Sequence, residues 1–207
     1  GHSRLDSMKP RRIIFWRHGR TEWNAERRFQ GQTDVPLDDL GRKQAAHAAQ
    51  LLSGLEPDGI VSSDLSRARE TAEALAVLTG LSVVTDERLR ETYAGQWQGL
   101  TRSELEERFG DELAQWSAGA GIRPGGGETR LEVAERVVLA VQEAMVSMGP
   151  GQTLVVATHG GAARAGIGAL LDLPPEHWAA LGVLTNCAWS VLTENLGQAT
   201  AERHGPP

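Results

Sequence analysis

The sequence predicts an α/β fold built on a mostly parallel sheet, and three observations predict it. Short apolar or β-branched runs at 13–16, 59–62, 81–85, 153–158 and 187–193 are separated by longer stretches whose apolar residues recur every three or four positions. Strand and helix periods that alternate in this way are the pattern of βαβ units. Two of the runs, 13–16 and 153–158, lead directly into histidine and glycine, at His18-Gly19 and His159-Gly160. In parallel α/β sheets ligands bind beyond the carboxyl ends of strands where the winding reverses, so the two endings are expected to converge on one pocket.

Composition bounds what the chain does. Hydrophobic residues make up 40% and charged residues 23%, enough for a large core and inconsistent with disorder. One domain is expected over 8–193, preceded by an expression scar at 1–7 and followed by a polar, frayed tail at 194–207. A formal net charge of −6 provides no global positive field, so no nucleic acid and no membrane partner is expected and any anion site is local. No apolar run is long enough to span a bilayer and no signal peptide is visible, so the expectation is a soluble, cytoplasmic protein. The single Cys187, among Ala188, Trp189 and Val191, reads as a buried core thiol and not as a nucleophile.

Taken in order, the first strand at 13–16 feeds a polar segment at 20–36 that reads as a loop over the site. There Arg20, Arg27 and Arg28 either face a substrate or scatter charge into solvent. With Asp38 or Asp39 as cap, Leu40, His47, Ala48, Leu51, Leu52 and Leu55 fall at helical spacing, which places His47 on the apolar side. After 59–62, Ser63-Asp64 reads as the cap of a helix with Leu65, Ala68, Ala72, Leu75 and Ala76 inward, closed by Gly80. Arg67 lies in its first turn, where free N–H groups and the helix dipole already favour an anion. Residues 87–99 resist a regular assignment, 101–109 return to helical spacing, and 119–127, with five glycines and one proline, read as a loop. From Glu128, Leu131, Ala134, Val138, Val141, Met145 and Met148 predict a long helix ending at 149–151. The strand at 153–158 runs into an Ala- and Leu-rich helix up to Leu171. Pro174-Pro175 then open a short helix with His177 and Trp178 before the last strand at 187–193.

Chemistry concentrates at Arg17-His18-Gly19, where a cation stands beside an imidazole and a residue that lets backbone approach a ligand, a combination suited to phosphate. The tripeptide alone is weak evidence, but it stands in an ordered series. Thr21, Trp23-Asn24, Phe29-Gln30-Gly31 and Asp34 follow it, then Ser62-Ser63-Asp64-Leu65-Ser66-Arg67-Ala68 with Thr71. After these come Glu91 before Gly95 and Gln98-Gly99, then Gly126-Gly127-Glu128, and last Thr158-His159-Gly160-Gly161. Over residues 11–193 this series resembles the histidine phosphatase superfamily, in the branch of cofactor-dependent phosphoglycerate mutases and related phosphatases. The resemblance implies the phosphoglycerate mutase-like fold, a three-layer α/β/α sandwich with a mostly parallel central sheet.

It also implies roles. His18 would be the nucleophile that forms a phosphohistidine, Arg17 and Arg67 would clamp the phosphoryl oxygens, and His159, expected to be protonated, would add a third positive partner. Glu91 would protonate the leaving alkoxide and later take a proton from water, with Glu87 a nearby competitor for that role. Thr21, Asn24 and the Gly160 amide would be further phosphate contacts, and Gln30, Gly31 and Tyr93 would lie on the substrate side. No metal and no cofactor is implied, the partner is a small phosphomonoester, and a homodimer is plausible by resemblance.

Mutases of this branch typically carry Glu-Arg-His-Tyr-Gly around the acid, whereas this chain reads Glu91-Thr92-Tyr93-Ala94-Gly95. The basic residues that would grip a second acidic group are missing, and Gly127 lies only 36 positions after Glu91, too close for the longer mutase insertion. A phosphatase is therefore favoured over a mutase or a non-catalytic phosphate-binding protein. Leu89-Arg90-Glu91, the run from Gly95 to Thr101 and the segment Leu173-Pro174, Trp178, Leu181-Gly182 and Asn186 to Trp189 are similar to glucosyl-3-phosphoglycerate phosphatases. Arg123 and Arg130 join Arg20, Arg27 and Arg28 as candidates for an acidic substrate.

Overall fold

The structure is a computed structural model that describes residues 9–195 and 198–204. Six strands, β1 (Arg12–Arg17), β2 (Gly59–Ser62), β3 (Val83–Thr85), β4 (Thr153–Thr158), β5 (Trp189–Asn195) and β6 (Gln198–His204), form one sheet in the order β3-β2-β4-β1-β5-β6. β3, β2, β4 and β1 are mutually parallel, and β5 and β6 add an antiparallel edge. β4 is thus inserted between β1 and β2 after the chain has wound outward to β3.

Side chains on these strands alternate between two cores, as the period of two requires. Ile14, Trp16, Ile60, Val155 and Ala157 pack with helices α2 (Asp39–Ser53) and α3 (Ser66–Thr79), while Phe15, Val61, Leu154 and Val156 pack with α5 (Arg130–Met145) and α6 (Gly160–Leu170). Both faces are covered, which is why β4 is apolar along its length instead of alternating. This is the predicted three-layer sandwich. Two further helices, α1 (Glu22–Ala25) and α4 (Arg102–Ser117), lie in the segments that follow β1 and β3. A third, smaller core of Ala94, Trp97, Leu105 and Leu113, with Phe29, Leu100, Phe109 and Trp116 against it, belongs to this part of the chain.

Several expectations are corrected. α2 turns Gly41, Ala45, Ala48, Ala49 and Leu52 inward, leaving His47 exposed and Leu40 and Leu51 each 44% exposed. Small residues let α2 approach α3 and the sheet closely, so its alanines, not its larger apolar residues, set the buried stripe. α5 starts at Arg130 behind a capping box of Thr129 and Glu132, and adds Val133, Val137 and Ala140 to the predicted Ala134, Val141 and Met145 on its buried face while exposing Leu131. α3 has Leu65 at its N-cap with no side-chain cap, since Ser63 and Asp64 are engaged elsewhere. The segment 20–36 contains the one-turn α1, capped by Thr21, and α4 continues past a kink at Phe109. The tail expected to fray instead extends β5 to Asn195 and returns as β6 over 198–204. Residues 1–7, read as an expression scar, lie outside the described residues.

Candidate active site

The register of β1 and β4 sets Arg17 beside Thr158, so the next residue of each chain, His18 and His159, leaves the sheet side by side with ring centroids 5.1 Å apart. Backbone bonds lock His18. Its N–H donates to Thr158 O (3.1 Å), and its carbonyl accepts from Cys187 N (3.1 Å) and Asn186 Nδ2 (3.2 Å). His18 Nδ1 lies 2.7 Å from Gly19 O. A carbonyl only accepts, so the proton resides on Nδ1 and the Nε2 lone pair is presented. Burial, reinforced by Arg67 and Arg17, pushes the imidazole well below its usual pKa and keeps it neutral.

Two arginines flank this ring, as expected. Arg17 donates from Nη1 to Leu184 O (2.6 Å), and Arg67 donates from Nη1 to Thr33 O (2.6 Å) and from Nη2 to Gly31 O (2.7 Å). The Nε of each is buried with no partner. Burial lowers Arg67 to about 10, which still leaves it charged at neutral pH. His159 is fully buried with Nε2 2.8 Å from Ser63 Oγ, and its Nδ1 has no partner. Ser63 Oγ also accepts from Leu65 N (3.3 Å). With only protein groups around it, burial, then Arg67, His18 and Arg17, press the His159 pKa well below its usual value. Arg17 and Arg67 line the cavity with His18, each with a buried Nε that has no partner, and bring two cationic forks suited to a dianion; His159 is buried behind them and is not part of that lining.

Thr21, predicted to touch phosphate, does not line the cavity. It is buried beneath, donates from Oγ1 to Gln30 Oε1 (2.8 Å), and offers Asn24 Oδ1 its backbone N–H (3.0 Å). Asn186 Nδ2 also reaches Asn24 Oδ1 (3.3 Å). With both amide oxygens occupied, Asn24 and Gln30 are left with their NH2 groups to present to the cavity, which both residues line. Gly31 and Gly160 line it as expected, and Gly31 needs to be glycine: its φ is +54° and a Cβ would collide with the Gln98 side chain. Tyr93 is corrected. Its side chain is 46% exposed and outside the cavity, while its backbone N–H and carbonyl bond to Glu128.

Glu91 faces the same cavity and its carboxylate caps α6, accepting from Gly161 N (3.0 Å), Ala162 N (2.9 Å) and Thr92 N (2.9 Å). Arg136 clamps the approach, donating to the carbonyls of Arg88 (2.7 Å), Arg90 (2.6 Å) and Glu91 (2.9 Å) while pairing with Glu128. Arg90 in turn forms a two-bond fork to Asp64. Glu87 lies exposed on a 3-10 turn, so Glu91 alone of the two reaches the site. Cys187 is fully buried, and burial raises its thiol to about 12, consistent with a core role.

The cavity of about 210 Å³ is smaller than the ~300–1,000 Å³ of drug-sized pockets and suits a small metabolite. Its lining includes Trp116, Val183 and Arg164, none of which the sequence reading singled out. A lone arginine inside an otherwise apolar helix was the available signal for Arg164. Of the open arginines, Arg28 lines the cavity but pairs with Glu26. Arg20 pairs with Asp38 (2.8 Å), Arg123 pairs with Glu132, Arg130 stacks over Trp116 (4.9 Å), and Arg27 is exposed, all outside this lining. Among the described residues no group of three or more His, Cys, Asp or Glu side chains is arranged to hold a metal, and no helix is long and apolar enough to cross a membrane.

A neutral imidazole with its lone pair directed by a backbone carbonyl, between two buried guanidinium groups and opposite a carboxylate, defines a phosphoryl-transfer site that works through histidine. The chain belongs to the histidine phosphatase superfamily (branch 1), whose family model matches residues 13–205, and it is a phosphoric monoester hydrolase. It is similar to the glucosyl-3-phosphoglycerate phosphatase of Mycolicibacterium vanbaalenii, with 43% identity over 188 residues, 88% of this chain and 84% of the relative. The Mycobacterium tuberculosis glucosyl-3-phosphoglycerate phosphatase is 42% identical over 193 residues, 90% of this chain and 86% of its own. A solved structure of a mycobacterial glucosyl-3-phosphoglycerate phosphatase with VO3 superposes with a TM-score of 0.90 at 41% identity, covering 95% of this chain and 100% of that one.

Proposed function

We propose that the protein hydrolyses glucosyl-3-phosphoglycerate, or a closely related phosphoglycerate, through a covalent phosphohistidine at His18. One observation carries the mechanism: the Nδ1–H bond to Gly19 O, which leaves Nε2 as a neutral nucleophile between Arg17 and Arg67. Nε2 attacks phosphorus, the P–O ester bond breaks, and the leaving alkoxide takes its proton from Glu91. The Arg17 and Arg67 forks, with His159 and the Asn24 and Gln30 amides, neutralise charge on the equatorial oxygens. Glu91 then takes a proton from water, whose oxygen attacks phosphorus. The N–P bond breaks, its electron pair returns to Nε2, and phosphate leaves. The substrate rests on the named activity of the similar mycobacterial enzymes.

The test is phosphate release from a panel containing glucosyl-3-phosphoglycerate, 3-phosphoglycerate and phosphoserine, with acid trapping of the phosphoenzyme. Native protein is expected to yield a phosphohistidine and His18→Ala none; turnover surviving that change would sink the mechanism. Activity is expected to withstand EDTA, since every step uses protein groups alone.

A further inference from the structure

Cavity-lining arginines outnumber the anions that a single phosphoryl group supplies. Arg17, Arg28, Arg67 and Arg164 line the cavity with Glu91 as its one carboxylate, in a chain whose formal net charge is −6. Arg17 and Arg67 flank His18 and are absorbed by the phosphoryl site. Arg28 is neutralised by Glu26, is 3.8 Å from Glu104, and donates to Gly99 O (2.8 Å). That leaves Arg164.

Arg164 stands one turn into α6, so Gly160, Gly161 and Arg164 share one helix face. All three line the cavity, and Glu91 caps the same turn. The guanidinium is partly buried and makes no hydrogen bond or ion pair with any described residue, and burial lowers its pKa with Glu91 working against that effect. Arg130, a like charge, is close enough for Arg164 to depress its own pKa, and both residues line a smaller cleft that continues the cavity past Thr92 and Trp116. Cations that are partly desolvated and bring no counter-ion are costly to a fold, and arginine's planar fork matches a carboxylate through two parallel bonds. Glu91 is the nearest opposing charge but forms no ion pair with Arg164, and its charge is cancelled whenever it carries the proton for the leaving group.

We propose that Arg164 is a specificity-determining residue that binds a carboxylate on the leaving group, on the far side of Glu91 from the phosphoryl site. The substrate class is then a phosphomonoester of a hydroxy acid, with Trp116 as the apolar wall beside the acid. This rests on the phosphomonoesterase reading of the site and adds a selection rule to it: the enzyme distinguishes phosphorylated acids from phosphorylated alcohols of equal size.

A matched pair isolates that rule. 3-Phosphoglycerate and glycerol 3-phosphate share a three-carbon skeleton and differ in the carboxylate. Native enzyme is expected to favour the acid in kcat/KM. Arg164→Met keeps the aliphatic stem and is expected to reduce that preference roughly 10- to 100-fold, the range of a charge-assisted bond, mainly through KM and with glycerol 3-phosphate little changed. Arg164→Lys should restore part of the preference, and Arg164→Gln replaces the Met variant if that one does not fold. Absence of a preference in the native enzyme, or equal losses on both substrates in Arg164→Met, overturns the proposal. Glucosyl-3-phosphoglycerate serves as the third substrate. An Arg164-dependent preference for 3-phosphoglycerate with no turnover of the glucosyl ester would defeat the substrate reading and leave Arg164 its role. Turnover of the glucosyl ester with the preference unmoved in Arg164→Met would do the reverse.

Discussion

The floor and the roof of the cavity are built on different physics. The floor is the carboxyl end of two adjacent parallel strands, where Arg17-His18 and Thr158-His159 are fixed by sheet register and both histidines are buried. The roof is a patch of 3-10 turns and the kinked α4, held by edge-to-face contacts of Trp97 with Phe29 (5.7 Å) and Trp116 (5.9 Å). Backbone ladders position the floor, and ring packing positions the roof. The nucleophile therefore sits on backbone fixed by sheet register, while Trp116 brings the aromatic packing of the roof to the cavity wall.

Floor substitutions should act on turnover. His18→Ala is expected to lower kcat by a thousandfold or more, since no other group supplies the nucleophile; phosphate release and phosphoenzyme trapping both report it, on the order of 10³ or greater. Arg67→Met is expected to cost about 10²- to 10³-fold in kcat, the scale of one lost transition-state donor. It also leaves the carbonyl of Gly31 without the Arg67 bond and that of Thr33 with only Val35 N, so denaturant melts should show a loss of about 1–3 kcal/mol. An Arg67→Met enzyme with native kcat would break the distinction between floor and roof.

Roof substitutions should act on stability and KM. Trp97→Ala removes a fully buried ring at the centre of the third core, with an expected loss of about 3–5 kcal/mol by denaturant melts. At saturating substrate its kcat is expected to stay within about tenfold of native, far closer than the floor variants. Collapse of kcat to the His18→Ala level in a folded Trp97→Ala protein would show that the roof shares in the chemistry.

The smallest expected effect is on pH dependence. His18 and His159 both have folded pKa values depressed below the ordinary 6.5, so the unfolded chain binds more protons in the acid range. Their contribution to stability is complete above about 6.5 and is lost as pH falls below it. Melts at pH 7 and pH 5 should show the acid sample less stable. The acid limb of kcat/KM, which reports the free enzyme, is expected below pH 6.5, with no alkaline limb from His159; a limb above pH 7 assigned to His18 would contradict its burial.

Legibility in the sequence followed the same division. Short apolar runs and the paired His-Gly endings marked the strands and their convergence, and register sets Arg17-His18 beside Thr158-His159, whereas Arg67, on α3, was pointed to by the ordered motif series and the resemblance it carries. Helix positions were legible and helix faces less so: in α2 the alanines pack inward and Leu40 and Leu51 face out, a choice made by interhelix distance. The roof was not legible, since Phe29, Trp97, Phe109 and Trp116 come from separate segments with no common period and meet only in the fold. Thr21 was placed at the site but given the wrong work, because a hydroxyl that orients two amides has the same sequence signature as one that binds phosphate. The protonation of His159 depended on burial, which sequence spacing does not carry.

One contact joins floor to roof. Gln98 lies over Gly31, where no Cβ fits, and the Gly31 carbonyl receives Arg67. In hereditary terms Gly31 is a fixed point: its left-handed φ of +54° resists any side chain, and its carbonyl holds the arginine that grips phosphate. Change in selectivity is then easiest at cavity walls that bear no such backbone constraint, such as Trp116, Arg164 and Val183.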